Sequence, residues 1–134
     1  MWLLGLSMIG IGVAHFLDPE PFMRIVPPPL PARGTVYLSG VFEILGGAGL
    51  LVPATRRWAA WGLVALYIAV FPANLYMAFA GIQLDPSDPL PEWGAWVRLP
   101  FQALFIAWAW WFTREPASPR EADLAAEAWK RAEP

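Results

Sequence analysis

Four long apolar stretches dominate the chain, and short polar or proline-rich segments separate them. The stretches cover residues 2–17, 36–52, 58–80 and 93–112. Each is close to the roughly 17 to 25 residues that an α-helix needs to cross a bilayer, and the first two only just suffice. The pattern therefore predicts an all-α fold with four transmembrane helices.

The segments between these stretches are typical of helix ends. They read DPEPFMRIVPPPLPARG, PATRR and LDPSDPLPE. Proline lacks the N–H that continues a helix, and short connections place successive helices side by side in opposite directions. We therefore expect one domain, residues 1–113, folded as a membrane-embedded antiparallel four-helix bundle.

The first connecting segment is more apolar than its prolines alone imply. Its apolar side chains are Phe22, Met23, Ile25, Val26 and Leu30. A turn that rests on the membrane surface is the preferred interpretation. A lid folded over the mouth of the bundle is the alternative.

The last segment, residues 114–134, differs in character from the rest of the chain. Ser118, Pro119 and Glu121 form a capping box with proline at the first helical position. We expect a short helix that ends near Ala132, in a partly helical tail that is solvated or lies at the membrane interface.

The positive charges predict the orientation of the helices. One side of the predicted bundle carries Arg56, Arg57, Arg114, Arg120, Lys130 and Arg131, and the other side carries Arg24 and Arg33. Cytoplasmic segments are enriched in Lys and Arg, so both termini are expected in the cytoplasm, with the protein in the plasma (inner) membrane.

Composition supports a lipid environment and excludes several kinds of chemistry. Hydrophobic residues make up 57% of the chain and charged residues 15%, which is too apolar for a small soluble domain. The net charge of −2 gives no basic surface for nucleic acid. With no cysteine and one histidine, the chain has no disulfide, iron–sulfur cluster, Cys-based zinc site or bis-histidine haem. We expect no intrinsic cofactor, so a redox role requires a bound molecule such as a quinone.

Five polar residues interrupt the apolar stretches: His15, Glu43, Asn74, Arg98 and Gln102. A charged side chain at the bilayer centre costs about 2.5 to 3.5 kcal/mol on insertion scales, so such groups face inward and find partners. At about 1.5 Å of rise per residue, all five fall in the outer half of the predicted bundle. They predict a polar pocket that opens outward.

Each of these residues has two interpretations. As a site, Arg98, Gln102 and Asn74 bind a ligand carbonyl while Glu43 and His15 exchange protons. As structure, Asn74 and Gln102 join helices, His15 and Arg98 reach towards the interface, and Glu43 pairs with Arg98.

The segments GIGVAHF, LSGVFEILGGAGLL, FPANLYMA and RLPFQ resemble the DoxX family of small bacterial membrane proteins. The resemblance extends over all four stretches, from about Gly10 to Trp111. It implies the same membrane fold and an association with thiosulfate:quinone oxidoreductase or oxidative-stress complexes.

Three functions remain open at this point. The preferred one is a quinone-binding or redox-associated membrane subunit, which works with a redox partner protein. The second is a membrane scaffold or assembly partner whose polar cluster fixes the helix packing, and the third, less favoured, is transport of a small solute. A homodimer through a glycine-rich helix face is compatible with each of them.

Overall fold

The computed structural model describes residues 1–89 and 91–114, and these residues are α-helical wherever they form regular structure. No strand occurs among them. The helices are α1 (Trp2–Leu17), α2 (Glu20–Arg24), α3 (Ala32–Leu51), α4 (Arg56–Ala80) and α5 (Glu92–Trp111), and α5 continues into a 3-10 turn, Phe112–Arg114. The prediction of an all-α fold is confirmed. The predicted tail helix lies outside the described residues.

The short helix α2 was not predicted, because the prolines between the first two apolar stretches were interpreted only as residues that end helices. Pro19 precedes α2 and Pro21 lies in its first turn. A proline there removes an N–H that has no partner inside the helix, so it is tolerated. The long helix α4 ends at Ala80, and Gly81 follows it. The φ of Gly81 is 63°, a left-handed conformation that glycine adopts readily.

The four long helices pack in chain order: α1 on α3, α3 on α4, and α4 on α5. Glycines let α1 and α3 approach closely. A Cβ at Gly47 would lie 2.5 Å from the carbonyl oxygen of Gly5, and one at Gly12 would lie 2.7 Å from that of Gly40. The glycine-rich faces of α1 and α3 are therefore used within one chain, as small residues are between membrane helices.

The apolar core lies at one end of these helices. Its side chains come from the start of α1, the end of α3, the start of α4 and the end of α5, and they include Leu4, Leu50, Leu63 and Ala109, each fully buried. The core does not extend into the opposite half of the helices, where α1 and α4 end and α3 and α5 begin.

Large apolar side chains also cover the outside of the helices. Leu17, Trp58, Phe79 and Trp111 are 71 to 81% exposed. By length and composition, α3 and α4 are the two described helices able to cross a membrane, with mean hydropathies of 1.4 and 1.8, whereas α1 is a shorter apolar helix.

Candidate functional site

A cavity of about 520 Å³ lies in the half of the helices that the apolar core does not fill. All four long helices and the segment between α1 and α3 contribute to its lining. The five polar residues singled out in the sequence all lie on it: His15, Glu43, Asn74, Arg98 and Gln102. The structure therefore brings together residues that are as far as 87 positions apart in the chain.

Helical spacing explains how each helix presents its polar groups. Residues four apart lie on one face of an α-helix. Ser39 and Glu43 have this spacing on α3, as do Arg98 and Gln102 on α5, and both pairs line the cavity. His15 comes from the last turn of α1.

His15 and Glu43 are two ionisable side chains of the site that lie in contact. Nδ1 of His15 lies 3.2 Å from Oε2 of Glu43 and 2.8 Å from the carbonyl oxygen of Ile11. A carbonyl can only accept, so Nδ1 carries the hydrogen and donates it to Ile11. Oε2 of Glu43 is consequently buried without a hydrogen-bond partner among the described residues. Such atoms are rare in folded proteins, and the residue that carries this one lines the cavity.

The segment between α1 and α3 covers this part of the cavity. The ring of Phe22, on α2, stacks on the imidazole of His15 with a centroid distance of 3.8 Å and an interplanar angle of 22°. Ile25 and Val26 line the cavity beside it. Of the two interpretations drawn from the sequence, the structure favours the cover over the simple turn.

Asn74 and Gln102 are bonded to each other. Nδ2 of Asn74 donates to Oε1 of Gln102 at 2.7 Å, and Nε2 of Gln102 donates to the carbonyl oxygen of Tyr67, also at 2.7 Å. Both polar atoms of the Gln102 side chain are thus occupied by α4. This geometry matches the structural interpretation of the two amides, as a link between α4 and α5.

Arg98 occupies the exposed edge of the site. Its side chain lines the main cavity and also a neighbouring crevice of about 340 Å³, formed with the end of α4 and the segment that follows it. Arg98 and Glu43 are both among the residues that the structure describes, and they form no ion pair with each other. The Glu43–Arg98 pair considered from the sequence is therefore not formed, because His15 is the residue that reaches the carboxylate.

Tyr67 is a cavity residue that the sequence analysis missed. Its ring is buried, its hydroxyl donates to Sδ of Met8, and its carbonyl oxygen holds Gln102. The available signal was its spacing, since Tyr67 lies seven residues before Asn74 and therefore on the same face of α4.

Comparison with known proteins identifies the family but not the activity. The sequence model of the family described as Domain of unknown function (DUF8561) matches residues 4–113. No curated protein and no solved structure matches the chain. The resemblance to DoxX proteins was wrong, because the matching family is a different and uncharacterised one. The segments that carried the resemblance hold glycines and amides that this fold uses for helix contacts, and such contacts are common to many membrane helices.

Proposed function

The chain belongs to the DUF8561 family, and we propose that it is an integral membrane protein that binds a small molecule in the cavity between its helices. The unpaired carboxylate oxygen of Glu43 is the observation that carries this proposal. A buried acceptor without a partner costs about 1 to 3 kcal/mol, and a bound hydrogen-bonding group offsets that cost.

The outer surface supports membrane insertion. Side chains such as Leu17, Trp58, Phe79 and Trp111 would be poorly solvated in water at their observed exposure. In this proposal α1, α3, α4 and α5 cross the bilayer as an antiparallel bundle. Arginines lie between α3 and α4, in residues 53–57, and after α5, in residues 112–114. They favour an orientation in the plasma (inner) membrane with both termini in the cytoplasm.

The size and the lining of the cavity support ligand binding. A volume of about 520 Å³ lies within the roughly 300 to 1,000 Å³ of small-molecule sites, which combine apolar walls with a few polar groups. Here the walls are mostly aliphatic and aromatic, and Glu43, His15 and Arg98 are among the polar groups that have spare hydrogen-bonding capacity.

We assign different roles to the five polar residues. Arg98 donates hydrogen bonds to a ligand oxygen, while Glu43 and His15 bind and exchange a proton at another. Gln102 and Asn74 hold α4 and α5 in position around the ligand. A quinone head group, which has an oxygen on each side of a flat ring, fits this division. Its electrons would come from a redox partner protein, because the chain contains no cysteine and a single histidine.

A scaffold function is the second candidate, and a specific observation favours it. The hydrogen bonds from Asn74 to Gln102 and from Gln102 to Tyr67 keep two of the polar side chains occupied within the protein. If Glu43 served the same purpose, its replacement would weaken the fold without changing any bound molecule.

Native mass spectrometry of gently solubilised protein tests the proposal. Wild type is compared with Glu43→Gln and with the control Glu20→Gln, which changes an exposed carboxylate of α2 outside the cavity lining. We expect a co-purifying small molecule in wild type and in the control, and its loss in Glu43→Gln. An empty wild type together with a less stable Glu43→Gln would support the scaffold instead.

A further inference from the structure

The helices α1 and α5 both line the cavity. Each of these helices packs on a neighbour, α1 on α3 and α5 on α4, but in the described residues they do not pack closely on one another. Both nevertheless supply residues to the same cavity. A ligand could therefore extend from the cavity between these two helices towards their outer surface.

Apolar side chains form the rim of this passage. Ile11 on α1 and Val97 and Phe101 on α5 line the cavity, and they are 39%, 38% and 55% exposed. None of these side chains offers a hydrogen bond. A group that lies between them must be apolar to be accommodated without loss of hydration.

The approach from the end of the helices is different. Phe22 covers His15 there, and Ile25 and Val26 extend this cover along the cavity wall. A ligand that enters from water must displace this apolar segment. A ligand dissolved in the bilayer meets the passage between α1 and α5 directly.

The polar groups on the cavity wall constrain the head of the ligand. The carboxyl group of Glu43 has an oxygen without a hydrogen-bond partner, the guanidinium of Arg98 can only donate hydrogen bonds, and both side chains line the cavity. A neutral head with hydrogen-bonding oxygens can satisfy both.

We infer that the ligand is a lipid-soluble molecule with a neutral, oxygen-bearing head held at Glu43 and His15 and a hydrocarbon tail that leaves between Ile11 and Phe101 into the bilayer. The inference rests on the proposed function and names the ligand class and the route of entry. It makes the rim residues determinants of tail recognition, separate from the residues that hold the head.

Two quinone probes that share a head test this assignment. Both are fully ring-substituted benzoquinones, one with a decyl chain and one with a methyl group in its place. Binding of each radiolabelled probe is measured on the full chain in phosphatidylcholine nanodiscs. The variant Ile11→Trp/Phe101→Trp narrows the passage, and the control Leu6→Trp/Leu104→Trp also introduces one tryptophan on α1 and one on α5, at exposed positions outside the cavity lining.

In the narrowed variant we expect the Kd of the decyl probe to rise by about tenfold or more, which corresponds to about 1.4 kcal/mol. The methyl probe should bind it as it binds wild type, and the control should bind both probes normally. Unchanged binding of the decyl probe, or equal loss of both probes, would overturn the lateral route. Failure of wild type to bind either probe would instead overturn the proposed binding function itself, and the inference with it.

Discussion

The side-chain amide of Asn74 donates a 2.7 Å hydrogen bond to Oε1 of Gln102 and so joins α4 to α5 beside the cavity. Gln102 also donates to the carbonyl oxygen of Tyr67, seven residues earlier on α4. One side chain on α5 is thus held at two points of its neighbour. This double attachment fixes the position of the face of α5 that also carries Arg98.

We predict that Gln102→Leu lowers the free energy of unfolding by about 0.6 to 1.7 kcal/mol, which are the average and the maximum measured for hydrogen bonds between membrane helices. The reason is that the variant leaves Asn74 without its partner. Unfolding in mixed detergent micelles measures the effect in Gln102→Leu, Asn74→Leu and the double variant. Because the two side chains share one bond, the double variant should lose less than the sum of the single losses. Strictly additive losses would show that the bond contributes nothing.

The sequence predicted the elements of the fold better than the contacts between them. Runs of apolar residues indicate helices, and each of the four predicted stretches coincides with a long helix, two of them ending one residue beyond it. The depth of each polar residue along its helix also follows from the sequence, which is why the five were expected at one level. The rotation of each helix about its axis does not follow from the sequence. This rotation determines that Glu43 contacts His15 rather than Arg98.

Two further features depend on context that the sequence does not contain. Prolines can begin a helix as well as end one, so α2 was missed. Glycines in an apolar helix indicate close packing without identifying the partner, which is α3 for Gly5 and Gly12. For the same reason, glycine and amide patterns were a poor guide to the family.

The contact between α1 and α3 predicts that alanine substitution affects stability differently at Gly47 on α3 and at Gly10 on α1. Gly47→Ala should lower the free energy of unfolding by about 1 to 3 kcal/mol, as overpacking does, since its Cβ would lie 2.5 Å from the carbonyl oxygen of Gly5. Gly10→Ala is the control, because a Cβ there meets no atom within 4 Å. It should leave stability unchanged or raise it by up to about 1 kcal/mol. Thermal unfolding in one detergent compares the two, and equal effects would argue against the observed helix contact.

The stack of Phe22 on His15 predicts that α2 controls how long a ligand stays. Phe22→Ala removes an aromatic pair worth about 0.5 to 1.5 kcal/mol and uncovers a second exit at the end of the helices, besides the lateral one, so the decyl quinone probe should dissociate about 2 to 13 times faster. Stopped-flow competition with unlabelled probe measures the rate. Phe16→Ala is the matched control, because it breaks the stack with Tyr37, outside the cavity lining. Equal dissociation rates in the two variants would mean that α2 does not retain the ligand.

The proposed topology predicts opposite accessibility for two connecting segments. The natural chain has no cysteine, so single cysteines can be labelled without background. Ala54→Cys lies between α3 and α4, next to Arg56 and Arg57, and Asp88→Cys lies between α4 and α5; both positions are exposed. A maleimide that cannot cross the membrane should label Asp88→Cys in intact cells, and Ala54→Cys only after permeabilisation, because Arg-rich segments stay on the cytoplasmic side. The reverse pattern would invert the orientation, whereas labelling of both in intact cells would show that α4 does not cross the membrane.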